Sequence, residues 1–437
     1  MKRILFSLLL GTFTFGLVAQ ENAKDEIVKQ GWNFGPLPVV GWDSDLGFQY
    51  GACVDIFNFG DGSNYPSYNY KMNLEASTYT GGSSLFRCYG DFKTLIPEGK
   101  LFFDCTYFNA KKFDFYGFNG YASPYFGPSY NAAEGEKSEF YWMRRNQFRL
   151  VTSVQRRITG NLHWAAGFGY YNIFTDNVNL EGYDGQNTLY QLYRDAGLIR
   201  GNEAHGGNVL QLKAGLVYDT RDHDSDPTRG VNIEATLVGA PDIIDREGYS
   251  NLGFTFVGSH YVPVWKDKLT FAYRLGVQTN LAGEIPYYFV NNLNTLFFRK
   301  VYTEGLGGNA SVRGINRNGV VGNGMAWLNT EFRWRIVNFR FINQNFHIAL
   351  NPFFDMGKVI QPYRLEEQKA AFELLDGKFN QDNPFYSGNE EALHATAGCG
   401  LKIVMNRNFV ISVEMARSLD NRDGQKLWNN IGFNYLF

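Results

Sequence analysis

The 437-residue sequence has no internal run of 18 or more apolar residues, and its mean hydropathy is -0.30. A helical membrane protein is thereby excluded, because each spanning helix needs about 20 such residues. Charge of one sign is lacking too. Lys and Arg number 41 against 43 Asp and Glu, a net charge of -2, so no long-range field exists to gather nucleic acid. Cysteine is scarce: Cys53, Cys88, Cys105 and Cys399 have neither C-x-x-C spacing nor metal-site company, which excludes a zinc site and leaves disulfide pairing open. No G-x-S-x-G elbow occurs, the six His are scattered, and Gly305 to Gly308 precede no helix, so a fused lipase and a phosphate cradle both fail. Nothing points to an enzyme, a cofactor or a bound metal.

Aromatics make up 17 % of the chain, and 48 Gly stand against 13 Pro. Disorder, whose signature is low hydrophobicity, is excluded. A chain this long, aromatic and Gly-rich suits one large closed sheet. At the N-terminus, Lys2 and Arg3 precede an apolar stretch from Ile4 to about Val18, with small residues before Ala19-Gln20. This reads as a cleaved export signal over 1–19, followed by a short periplasmic segment over 20–31 and a barrel over 32–437. No Cys stands at the cleavage point, which disfavours a lipid anchor.

Period-two alternation of apolar with polar or small residues marks a strand with one face in lipid and one in a wet lumen. Phe409, Ile411, Val413 and Met415 alternate with Val410, Ser412, Glu414 and Ala416. Ala395, Ala397, Cys399, Leu401 and Ile403 alternate with Thr396, Gly398, Gly400 and Lys402. In the last segment Leu427, Ile431, Phe433, Tyr435 and Phe437 share the lipid-facing parity, and Asn430, Gly432 and Asn434 the other. Such segments fall near 32–42, 46–57, 68–80, 85–96, 99–108, 140–158, 161–175, 208–221, 229–239, 250–263, 268–282, 324–337, 345–359, 392–405, 408–418 and 427–437. Sixteen is an even number, as single-chain outer-membrane barrels require. Short turns at 97–99, 159–160 and 406–408 alternate with long stretches at 109–139, 176–207, 283–323 and 360–391, which puts turns on one rim and loops on the other. The expectation is an all-β, sixteen-stranded antiparallel transmembrane barrel of the outer membrane, in contact with its lipids.

Three local features exceed what a generic barrel needs. Gly307-Gly308-Asn309-Ala310-Ser311-Val312-Arg313-Gly314-Ile315 places an arginine among flexible residues in the longest loop. On the next strand Asn329, Glu331, Arg333 and Arg335 share the inward parity, and one strand further Phe353, Asp355 and Gly357 do. Two carboxylates thus point into the lumen where a loop can deliver a guanidinium, whose five donors suit two such acceptors better than lysine would. Asp222-His223-Asp224-Ser225-Asp226 has the spacing of a calcium loop, but Pro227 replaces the turn-making glycine and no bidentate Glu stands at position twelve. A polar periplasmic turn is the better reading.

Val312-Arg313-Gly314, the inward Glu331, Phe354-Asp355-Met356-Gly357, and Asp219-Thr220-Arg221-Asp222 followed by Pro227-Thr228-Arg229-Gly230 occur in the order and spacing of BamA/TamA-type assembly barrels, the bacterial surface antigen family. The motif-bearing resemblance covers about 208–437. It implies that the sixth outside loop folds inward, with Arg313 held by Glu331 and Asp355 and with Gly307, Gly308, Val312 and Gly314 shaping the loop. It also implies that Gly432, Tyr435 and Phe437 form a C-terminal assembly signal. Ile315 stands where family members carry Phe or Tyr, and the stretch from Gln20 to Trp32 has no room for the periplasmic POTRA repeats of the usual members. The chain therefore looks like a barrel-only member that assists insertion, assembly or translocation of proteins or lipids at the outer membrane of a Gram-negative bacterium. The alternatives are a structural subunit of a larger envelope complex whose partner proteins supply a periplasmic part, and a passive diffusion channel.

Overall fold

The computed structural model describes residues 27–43, 46–127, 139–179, 188–296, 304–374, 383–424, 427–433 and 435–437. The signal read at 1–19, part of the 20–31 segment, Asn434 and parts of the long connections lie outside the described residues. Sixteen strands close into one antiparallel barrel in which each pairs with its sequence neighbours and the first meets the last. They are β1 (Trp32–Asp43), β2 (Gly47–Asn58), β3 (Tyr70–Tyr79), β4 (Ser84–Phe92), β5 (Gly99–Asp114), β6 (Trp142–Thr159), β7 (Leu162–Asn177) and β8 (Gly206–Asp219). The second half comprises β9 (Gly230–Ala240), β10 (Asn251–Trp265), β11 (Leu269–Gly283), β12 (Gly324–Phe341), β13 (Gln344–Gln361), β14 (His394–Met405), β15 (Phe409–Ser418) and β16 (Trp428–Phe433).

Alternation explains why these segments become wall. On β15 Val410, Ser412, Glu414 and Ala416 are buried in the lumen while Val413 and Met415 are exposed on the outer face. Leu212, Leu216, Leu237, Phe332 and Trp334 lie outward in the same way, where hydrocarbon rather than water is their solvent. The cysteines are all free, with Cys53 buried and Cys88 and Cys399 exposed on the outer face.

Four ends differ from the sequence reading by four residues or more, among them β4, which stops at Phe92 rather than 96, and β12, which runs to Phe341 rather than 337. β5 runs on to Asp114, inside the stretch 109–139 read as loop, because Phe113 and Asp114 keep pairing with β6 beyond a bulge. β16 stops at Phe433, short of the 427–437 expected. The long connections also contain helices α1 (Leu189–Asp195), capped by the Thr188 side chain, and α2 (Leu365–Leu374).

Both mouths are occupied by protein. On the long-loop rim Phe115, Phe118, Tyr193, Tyr363 and Phe385 form one buried aromatic cluster. Asn119 ties its loop to the next by donating to the Tyr363 carbonyl at 2.8 Å and to Gln368 at 2.9 Å. On the short-turn rim the β8–β9 turn crosses the mouth. Its Asp224 meets Lys93 at 2.8 Å, and its Asp226 meets Arg335 at 2.7 Å. Asp222 meets Arg407 of the β14–β15 turn at 3.3 Å. The three aspartates of the calcium-like spacing are thus each committed to a cation of the protein.

Candidate functional site: the lumenal arginine and the seam

Within the β11–β12 loop, residues 304–323 double back on themselves inside the barrel. Leu306 bridges Val320, and the Gly308 amide donates to the Ile315 carbonyl at 2.9 Å. Ser311 closes the turn, its hydroxyl accepting from the Gly307 amide at 2.9 Å and donating to the Gly305 carbonyl at 3.1 Å. An apolar seat of Leu306, Val312, Ile315, Val320, Trp327 and Val359 carries this turn. Ile315, though not aromatic, is 2 % exposed and fills its place in that seat. Gly307 and Gly308 have φ of +130° and +66°, in the left-handed region. At Gly314 (φ +99°) an added Cβ would stand 3.0 Å from the Ala416 side chain and 3.2 Å from that of Thr396. Only glycine lets the loop tip lie so close to the β14–β15 wall.

The turn delivers Arg313, whose side chain has no exposed surface. Its Nε and Nη2 donate to the two oxygens of Asp355 at 2.8 and 3.0 Å, a forked pair, and its backbone amide reaches the same carboxylate at 3.1 Å. Nη1 donates to Glu331 at 3.1 Å and to Glu414 at 2.9 Å. The guanidinium lies over the Phe353 ring, 3.6 Å from its centroid. That ring needs Gly398 beneath it, since a Cβ there would come within 2.5 Å of the ring edge. Glu331 also accepts from Arg333 at 2.7 Å, and Glu414 from Lys402 at 2.6 Å. Three carboxylates thus pair directly with three cations inside the wall, as buried charges require, and the Arg274 guanidinium adjoins them, bonded to Asn329 and to the Ala310 carbonyl.

The sequence reading assembled Arg313, Glu331 and Asp355 but not Glu414 or Lys402. Both were legible as inward residues of β15 and β14, and nothing within a single strand says which inward charges will meet across the ladder.

A second feature is the seam. Among the described residues β1 and β16 pair through Trp42 opposite Ile431 and Asp43 opposite Asn430, whereas β1 pairs with β2 along its whole length. Gly432 lies in β16, at the last stretch of its pairing with β15. Tyr435 and Phe437, expected to face lipid, are 2 % and 3 % exposed and lie inside the barrel. Phe437 packs with Tyr261 and Ala272, and Tyr435 with Val404 and Val410. Parity carries a side chain to a given face only while the ladder continues, and here the β15 ladder ends at Phe433. Arg333 donates to the Phe437 main-chain oxygen at 2.6 Å and Arg274 to that of Leu436 at 3.4 Å. Asn309 of the inward loop touches Asn430 of β16 at 3.3 Å, so loop and seam are in contact.

A closed sixteen-stranded wall with an apolar outer face, an arginine-bearing loop turned into the lumen and a short seam between first and last strands define a transmembrane β-barrel of the outer-membrane class. The chain belongs to the Omp85 superfamily, whose domain model matches residues 99–435. That match extends upstream of the motifs at 208–437, to the start of β5. Among solved structures the chain is similar to BamA from Haemophilus ducreyi lacking POTRA domains 1–3, at a TM-score of 0.53 and 15 % identity over 93 % of this chain and 70 % of that one. It is also similar to CdiB from Escherichia coli, at a TM-score of 0.53 and 12 % identity over 93 % of this chain. The chain spans 63 % of the length of that CdiB structure. No curated protein matches the sequence.

Proposed function

We propose that this Omp85 barrel assists the insertion, assembly or translocation of proteins, or of lipids, at the outer membrane, by a non-covalent route through the β1–β16 seam. The observation that supports this reading is the two-pair seam. A wall held elsewhere by complete ladders can part there at little cost, because few inter-strand hydrogen bonds must break. The wall is also short at this point: β16 has six residues against the 18 of β12 and β13. A spanning strand needs about 9–11 residues, so the bilayer beside the seam must thin or adapt. The inward loop holds β12, β13 and β15 in register through Arg313 while the seam moves. In cells the chain would reach the outer membrane through an export signal at 1–19, and Gly432, Tyr435 and Phe437 would contribute to its own assembly.

The test is reconstitution into liposomes with an unfolded outer-membrane barrel as client. The expected outcome is a several-fold faster appearance of folded client. A disulfide between Asp43→Cys and Asn430→Cys should abolish the gain, and reduction should restore it. No acceleration, or acceleration indifferent to the lock, overturns the proposal.

One observation supports the alternative of a subunit in a larger envelope complex. The β12–β13 hairpin leaves Phe339, Phe341 and Ile342 exposed by 37, 60 and 76 % at the short-turn rim, an apolar tip unusual on a water-facing edge. Co-purification of a stoichiometric partner, lost on Phe341→Ser with Ile342→Ser, would favour that reading. A diffusion channel is disfavoured by the described loop residues and the β8–β9 turn that lie across the two mouths.

A further inference from the structure

Among the described residues the β1–β16 pairing runs from Asp43 no further than Trp42, and two of the β1 residues beyond that point are prolines. In an antiparallel strand the backbone N–H and C=O of successive residues point alternately to the two neighbours. Gly31 exchanges backbone hydrogen bonds with the β2 side, its amide donating to the Gly60 carbonyl and its carbonyl accepting from the Phe59 amide. At the other end Phe48 spends its carbonyl on Thr80 and its amide on the Thr80 hydroxyl, both on the β3 side, so its partner Trp42 must face away from β2. The β1–β2 register runs without a bulge between these points. The odd residues of β1 therefore bond to β2, and the even residues, among them Pro36 and Pro38, turn their backbone toward the seam.

Continuing the register of Trp42 with Ile431 sets Val40 against Phe433, Pro38 against Tyr435 and Pro36 against Phe437. These are the positions at which β1 must both donate and accept. Proline has no N–H, so the main-chain oxygens of Tyr435 and Phe437 would find no donor on β1. The lumen offers one instead. The Phe437 oxygen that Pro36 cannot satisfy accepts from Arg333, and the rings of Tyr435 and Phe437 lie 4.2 and 5.2 Å from that same guanidinium.

We infer that Pro36 and Pro38 keep the half of the seam nearer the short-turn rim unzipped, and that Tyr435 to Phe437 are parked on Arg333 as the alternative to pairing with β1. The parked tail occupies a guanidinium that also serves Glu331, so seam and arginine cluster are linked through one side chain. This inference deepens the proposed function by naming what regulates the seam, and it rests on that reading for its significance but not for its test.

In a background with the four cysteines replaced, Leu37→Cys and Leu436→Cys mark residues that would be opposed in a zipped seam. With the prolines in place, oxidation should leave the pair uncoupled. Adding Pro36→Val and Pro38→Val should raise the cross-linked fraction at least tenfold. Efficient coupling with the prolines present, or no rise without them, overturns the inference. Should that variant fail to fold, hydrogen exchange in otherwise native chain decides. Arg333→Gln alone should speed exchange at Tyr435 to Phe437, and Arg333→Gln with both valines should slow it again by at least tenfold. Equal exchange in the two overturns the inference. None of these readouts depends on insertion or translocation activity, so their outcome stands apart from that of the liposome assay.

Discussion

Replacing Arg313 by alanine removes four side-chain hydrogen bonds, two to Asp355 and one each to Glu331 and Glu414, together with the stacking on Phe353. Glu331 keeps Arg333 and Glu414 keeps Lys402, but Asp355 loses its forked partner. Stranding one member of a buried pair costs about 3 to 5 kcal/mol, and water entering the space left in the lumen brings the expected loss to the low end, about 3 kcal/mol. Arg313→Lys keeps the charge without the planar fork and should cost about 1 to 2 kcal/mol. The assay is urea unfolding of the purified barrel followed by heat-modifiable gel mobility, with protease protection of residues 304–323 as a local readout. A second substitution gives the sign. Because Asp355→Asn removes the charge that Arg313→Ala strands, the double variant should be more stable than the sum of the two losses by at least ~1 kcal/mol. The reasoning is refuted if Arg313→Ala changes neither stability nor loop protection, or if the two losses simply add.

His223, in the β8–β9 turn, accepts hydrogen bonds at Nδ1 from the Ser225 and Asp226 amides, and burial, aided by Arg407, pushes its pKa from the ordinary 6.5 down to about 4. The folded chain thus holds this ring neutral, so its contribution is complete above pH 6.5 and is lost as acidification protonates the unfolded chain first. His223→Gln should flatten that part of the stability profile between about pH 6.5 and 4, a difference of roughly 3 kcal/mol across the window, and an unchanged slope would refute it. Phe437→Ala, by emptying the contact with Tyr261 and Ala272, should lower the folded, heat-modifiable fraction in outer membranes, with immunoblotting of the two gel forms as the check. Tags at Asp242 or in 176–207 should be reached by label on intact cells while tags at Thr159-Gly160 stay protected, and reversed access would invert the proposed orientation. A tag beside Arg313 should be shielded, as Arg313 and the loop around it are buried.

Much of the wall was legible because a strand's side-chain period is a local property. Sixteen alternating segments can be read with nothing but parity, and most observed strands begin and end within a few residues of them. Parity also puts Glu331, Arg333, Asp355, Lys402 and Glu414 on the inner face without any knowledge of neighbours. The motifs around Arg313 added the loop that meets them. What parity cannot supply is register across the ladder. That Asn329 stands opposite Asp355, and Gly400 opposite Glu414, is settled between strands, and it decides that Glu414 and Lys402 join the arginine cluster.

The chain's end shows the same division. The alternation of Ile431, Phe433, Tyr435 and Phe437 is intact in the sequence, and by itself it places two aromatic rings in lipid. The closed barrel reverses this for Tyr435 and Phe437, because the β15 ladder ends at Phe433 and the other possible partner, β1, is more than 390 residues away in sequence. Pro36 and Pro38 of β1 offer the tail no donors, and Arg333 inside the barrel donates to it instead. Sequence alone therefore determined which residues are strand, which face each takes while paired, and which arginine the loop carries. Only closure of the sheet decided where pairing stops and which charges share the lumen, since both depend on groups that become neighbours when the first strand meets the last.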